Sequence, residues 1–301
     1  MARFTLHELA AAVALLLALG GGARAGDATG AFAPYEDVVE VMADLTWHLD
    51  DDVYRFPPPR DPTGHGLYQL SLHRLEHWEK RYPGRLRDVT TFGRAEALER
   101  LGEYAQATEL YRKVTPPSPL AERASAGAAR ALAFAAAAAL PETGATFDAT
   151  LAALKAKLDA WAKLVDGNQK QPIQTLALVE EERLEVRAAQ LIVDNRRVLP
   201  DGNASAERAL RFLIEKHAES RNLSGHVLRL ADLYADLTRD YLASHDRPLA
   251  FDEETFTKQA DRALDTYRKV ATWDGAREKP EAQGRFAALD AWKSETLARY
   301  R

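Results

Sequence analysis

The chain has 301 residues, 46% of them apolar, enough for one large core or two ordinary ones, which excludes disorder along its whole length. Its formal net charge is −5 and it has no cysteine. Disulfide staples, thiolate metal sites and long-range attraction to nucleic acid or anionic lipid are therefore excluded.

The first 25 residues differ from the rest. Arg3 is a sparse positive start, Leu9 to Leu19 is an uncharged apolar run of 11 residues, and Ala23-Arg24-Ala25 has the small-x-small pattern of a signal-peptidase site. The run is too short to cross ~30 Å of hydrocarbon as a helix. These features predict a signal peptide at 1–25, cut after Ala25, and a periplasmic or secreted location. Cleavage removes Arg3, Glu8 and Arg24 and leaves 38 basic against 44 acidic residues. No later segment has the length and apolarity of a membrane span, because Ala126 to Leu140 contains Arg130 and is mostly alanine.

Beyond residue 25 the pattern is helical. Ala, Leu, Glu and Arg are abundant and β-branched residues are few, a mixture that loses little rotamer freedom in a helix. The spacing predicts eleven helices, near 34–50, 64–82, 87–101, 104–115, 119–139, 146–165, 172–197, 203–217, 223–244, 252–273 and 280–300, and no strand. The clearest stripe is Phe147, Leu151, Leu154, Leu158, Trp161 and Leu164, in steps of four and three. Pro83-Gly84, Pro116-Pro117-Ser118-Pro119, Pro141 to Gly144, Asp166-Gly167-Asn168 and Pro200 to Asn203 break the helices apart. Tyr54 to Gly66 is too rich in Pro and Gly for helix and is expected to be an ordered loop.

The sequence also repeats. Tyr-Arg-Lys-Val occurs at Tyr111–Val114 and at Tyr267–Val270, each preceded four residues earlier by an alanine, Ala107 or Ala263. At an offset of 136, Ala95 pairs with Ala231 and Leu98 with Tyr234. That offset is four times 34, the tetratricopeptide period. The segment Asp88–Ala121 resembles a single tetratricopeptide repeat: Ala95 and Ala107 take the small positions, Tyr104 and Tyr111 the aromatic ones, Gly102 the turn and Pro119 the closing proline. The family's usual Trp, Leu and Gly of the first helix are here Thr91, Arg94 and Ala95. A last unit, over 204–272, has Leu230, Ala231 and Tyr234 in its first helix and Ala263, Tyr267 and Val270 in its second, with about 20 extra residues between them. This is similar to tetratricopeptide proteins of bacterial envelopes.

The resemblance implies an all-α solenoid of antiparallel helical hairpins over 26–301, acting as a non-catalytic scaffold or adaptor for other envelope proteins or peptides, with no cofactor and no nucleic acid. It implies a concave surface lined by the first helix of each hairpin. By position, Phe92, Glu96 and Glu99 line it in the best repeat, Arg130 in the next, and Leu228 and Asp232 in the last, with Gly225 at a further lining position.

Two other readings stand beside it. His73-Arg-Leu-Glu-His77 spells an inverted zinc-peptidase motif, with Glu76 as base, and defines a metal-dependent hydrolase as the alternative. The helical wheel opposes it: Leu67, Leu72, Leu75, Trp78 and Tyr82 mark the buried arc, His73 and Glu76 lie opposite and His77 at the margin. A small-ligand site beside the Tyr54–Gly66 loop is the second alternative. His48-Leu-Asp-Asp-Asp52 lacks calcium-loop spacing, Pro57-Pro58-Pro59-Arg60 is a short polyproline stretch, and Asn203 and Asn222 open glycosylation triplets.

Overall fold

Helix accounts for 74% of the described residues, and no strand occurs among them. The computed structural model describes residues 33–57, 61, 64–247 and 250–300. The expected signal at 1–25 and residues 58–60 of the polyproline stretch lie outside the described residues. Eleven helices follow one another: α1 (Ala33–Leu49), α2 (Gly66–Arg81), α3 (Arg87–Arg100), α4 (Tyr104–Tyr111), α5 (Ala121–Ala138), α6 (Phe147–Gly167), α7 (Gln174–Asn195), α8 (Gly202–Lys216), α9 (Leu223–Ser244), α10 (Glu253–Ala271) and α11 (Lys279–Tyr300).

All eleven expected helices are present, with shifts at their ends. α4 stops one turn short of the expected 115. Proline has no N–H and pushes the residue before it out of helical geometry, so Pro116 and Pro117 end the helix before they are reached. α6 instead runs on to Gly167, where Asn168 closes it by donating both its backbone N–H and its side-chain amide to the Leu164 carbonyl, at 3.1 and 2.7 Å. At the start of α10 the Asp252 carboxylate accepts from the backbone N–H of Glu254 and Thr255, an N-cap in side-chain form.

The chain divides into two compact units. The first holds residues 33–53, Pro57–Leu140 and Lys163–Leu176; the second holds Tyr54–Phe56, Pro141–Ala162 and residues 177–300.

In the first unit α3 and α4 form a tight hairpin. Gly102, at φ +82°, makes the turn that a side chain would strain. The Phe92 ring, early in α3, sits 5.6 Å from the Tyr111 ring at the end of α4, so the two helices run antiparallel. Ala95 and Ala107 are fully buried, as expected where backbones approach closely. Gly127 in α5 is a second close approach: a Cβ there would lie 2.8 Å from the Tyr111 ring.

Alternate helices run parallel. Met42 of α1 meets Gly93 of α3, and Arg100 donates to the Leu49 carbonyl, both at a separation of 51 residues. Arg123 of α5 stacks on Phe92 of α3, and Arg130 binds Glu99, both at a separation of 31. A constant separation along two helices is the signature of parallel packing.

The second unit repeats this arrangement. Glu182 meets His226, and Arg196 meets Asp240, at a constant 44, so α7 and α9 are parallel. Ser224 meets Glu278, and Asp232 meets Arg285, at 54 and 53, so α9 and α11 are parallel. α8 and α10 pack on this layer, α8 against α9 and α10 against both α9 and α11. Ala231, Ala263, Tyr234, Tyr267 and Val270 are all buried in its core.

Ala107→Leu adds volume to a site with no exposed surface, whereas Ala105 on the same helix is exposed. Thermal unfolding should show Ala107→Leu destabilised by about 1–3 kcal/mol and Ala105→Leu close to wild type. Equal losses would contradict the close helix contact.

Candidate functional site

Burying a carboxylate requires a counter-charge and hydrogen bonds. In the first unit Glu99 of α3 is only 2% exposed. Tyr111 of α4 donates its hydroxyl to Glu99 Oε2 at 2.9 Å. Arg130 of α5 binds both carboxylate oxygens, at 2.7 and 2.6 Å. Three successive helices thus meet on one carboxylate. Burial pushes the Tyr111 hydroxyl well above its usual range, and Glu99 adds to that.

The second unit contains the same three chemical groups. Tyr267 of α10 donates to Asp232 Oδ1 of α9 at 2.6 Å, and Arg285 of α11 donates to Asp232 Oδ2. Both tyrosines begin the repeated Tyr-Arg-Lys-Val tetrapeptide.

Beside Glu99 lies Glu96, 11% exposed and 3.4 Å from Arg123. Burial is the largest influence on it and, despite Arg123, raises its pKa to about 7; the neighbouring Glu99 charge acts in the same direction.

The layer formed by α7, α9 and α11 carries a groove of about 580 Å³. Val179, Glu182, Arg183 and Val186 of α7 form one wall, Glu281 and Arg285 of α11 the other, and Gly225, Leu228, Arg229 and Asp232 of α9 lie between them. The floor holds a buried polar network. His226 Nε2 donates to Glu182 Oε1 at 2.6 Å, Ser220 donates to the same oxygen at 2.6 Å, and Asn222 reaches Oε2 at 3.2 Å. Burial tends to raise the Glu182 pKa, but these hydrogen bonds outweigh it and hold the carboxylate below its usual range. A second pair lies outside the groove lining: His217 Nε2 donates to Glu185 Oε2 at 2.6 Å, and the Tyr54 hydroxyl donates to His217 Nδ1 at 2.8 Å. At the rim Glu142 is held by Arg183, Lys157 and Arg187. The Arg183 hydrogen bond is the main reason its pKa falls to about 2.

The residues expected to line a binding surface fall into two groups. Glu96, Glu99 and Arg130 converge in the first unit, with Phe92 buried between Tyr111 and Arg123. Their side chains are spent on joining helices. Gly225, Leu228 and Asp232 all line the groove of the second unit, although Leu228 is buried and Asp232 is occupied by Tyr267 and Arg285. His73 and His77 are exposed on α2, whose other face buries Leu75 and Trp78, and Glu76 is paired with Arg94 at 3.3 Å. Among the described residues no three His, Asp or Glu groups are arranged to hold a metal ion. His48 donates to Asp51 at 2.8 Å, closing the end of α1.

The groove residues Glu182, His226, Arg229 and Glu278 belong to no motif of the sequence. His226 and Arg229 share α9 with Asp232, a helix face that could have been followed one turn back. Glu182 and Glu278 come from other helices at separations that no motif encodes.

What the fold defines is a class, an all-α chain of sequential helices. No protein-family model matches the chain, and a comparison with curated proteins finds no match. No described helix is long and apolar enough to cross a membrane.

Because the folded state raises the Glu96 pKa, it favours the protonated acid. The unfolded chain loses that proton near its ordinary value of 4.5, the folded chain near 7. The contribution is therefore complete below the unfolded value and is lost as pH rises through the folded one. Denaturant unfolding should show wild type losing stability between those two pH values relative to Glu96→Gln, with a slope of at most about 1.4 kcal/mol per pH unit. Parallel pH profiles for the two proteins would contradict the assignment.

Proposed function

We propose that the chain is an exported helical-repeat scaffold of the tetratricopeptide kind, which holds other proteins of the bacterial envelope and performs no catalysis. The observation that carries this reading is the parallel layer of alternate helices in each unit. Stacked hairpins of this sort expose the face of their first helices as a continuous surface. In the second unit that face is grooved, and its mixed polar and apolar lining suits an extended polypeptide segment. The repeated Tyr-Arg-Lys-Val, the small residues Ala95, Ala107, Ala231 and Ala263, and the leader-like first 25 residues support the family and the location.

Site-specific photo-crosslinking tests this. A photoreactive residue replacing Val186 on the groove wall should capture a reproducible envelope protein in living cells. The same residue at Arg208, exposed on α8, should not. Absence of any adduct from Val186, or the same adduct from both positions, would contradict the reading.

A further inference from the structure

The charges that line the groove can be paired off. Asp232 is taken by Tyr267 and Arg285, and Glu281 also by Arg285. Glu182 is taken by His226, Ser220 and Asn222. Arg183 is taken by Glu142 and Glu180. Two opposite charges are left over. Arg229 makes no ion pair among the described residues, and its one polar contact is Nη1 with His226 Nδ1, at a long 3.3 Å. Glu278 accepts from Ser224 through Oε2 at 2.5 Å, while no donor is seen on its Oε1.

These two groups flank Gly225. A Cβ placed on Gly225 would lie 3.5 Å from Arg229 Nη1 and 3.6 Å from Glu278 Oε1, both ordinary van der Waals distances. Nothing in the backbone requires glycine here: the residue is in the first turn of α9 without a positive φ. Alanine is the better helix former and would fit without collision. The missing methyl group therefore leaves a space on the groove surface where a guanidinium without an ion pair and a half-engaged carboxylate come within reach of one point.

We propose that this gap binds the head of a free α-amino acid, with its carboxylate on Arg229 and its ammonium on Glu278. A guanidinium and a carboxylate that both come within 3.6 Å of one point yet form no ion pair complement a compact zwitterion, in which both charges sit on one carbon. When Arg229 turns to the ligand, the lone pair of His226 Nδ1 is released and offers the ammonium a second acceptor. Glu182, on the other ring nitrogen, fixes that tautomer. Val179, Val186 and Leu228 provide the apolar surface for a side chain, and the groove is several times larger than the zwitterionic head needs. The inference does not depend on a partner protein docking on the same face, and its test has a separate readout.

Isothermal titration calorimetry on the mature chain, with each proteinogenic L-amino acid in turn, tests the proposal. At least one should bind with a Kd below about 1 mM. Its N-acetyl derivative and its carboxamide, each lacking one charge, should bind at least about tenfold more weakly. Gly225→Ala should keep or raise the Tm and weaken binding at least about tenfold, because the methyl group fills the gap without harming the helix. Arg229→Met and Glu278→Gln should each weaken it similarly. If no amino acid binds, the proposal fails. Equal binding of the acetylated or amidated forms would show that a peptide group is held in place of a zwitterion and would overturn it, as would full affinity in Gly225→Ala.

Discussion

The architecture of each unit depends on a carboxylate bridged by its neighbours, buried in the first unit and half-exposed in the second. A helix can present a carboxylate to its neighbours only if a donor and a cation arrive from them. In the first unit Glu99 of α3 receives Tyr111 from α4 and Arg130 from α5. In the second, Asp232 of α9 receives Tyr267 from α10 and Arg285 from α11. The consequence is geometric. One acid ties a helix both to its antiparallel partner and to the parallel helix that follows, which fixes the register of three helices at one point. Gly127 deepens that dependence in the first unit, since the Tyr111 ring reaches its place only where α5 lacks a side chain.

The helices were legible in the sequence because their period and breakers are local. The hairpin contacts were legible too, since Ala95, Ala107, Ala231 and Ala263 are small at positions where only small residues fit, and all four are buried. The carboxylate bridges were legible only in halves. The repeated Tyr-Arg-Lys-Val marked both tyrosines, and Glu99, Arg130 and Asp232 were singled out, but as a surface for partners. A helical wheel gives the direction of a side chain and not what stands opposite it. The offset of 136 also misleads here: it aligns Asp232 with Glu96, whereas the acid used in the first unit is Glu99, one turn further on. The arginine that completes each bridge follows at 31 residues in one unit and 53 in the other, so no fixed spacing announces it.

The groove shows the same limit from the other side. Gly225 falls at a lining position in the sequence, where a residue without a side chain has no group of its own to present. In the structure its emptiness is the feature that matters, since it separates Arg229 from Glu278. The charges around it are otherwise paired, so recognition in this groove rests on the few that are left over. That links binding to folding: Asp232 ties the middle helix of the groove to Arg285 on its wall, and because they hold each other they leave the chemistry to their neighbours.

The central claim is that alternate helices run parallel within each unit, and distances between spin labels test it most directly. The chain has no native cysteine, so two introduced thiols are the only ones to label. Arg239 near the end of α9 and Ser294 near the end of α11 are both exposed, as is Asn222 at the start of α9. With parallel helices the Arg239→Cys/Ser294→Cys pair should give a short distance, and the Asn222→Cys/Ser294→Cys pair a clearly longer one, because the two α9 sites lie roughly 25 Å apart along the helix axis. The reverse order, with 222 near 294 and 239 far from it, would contradict the account.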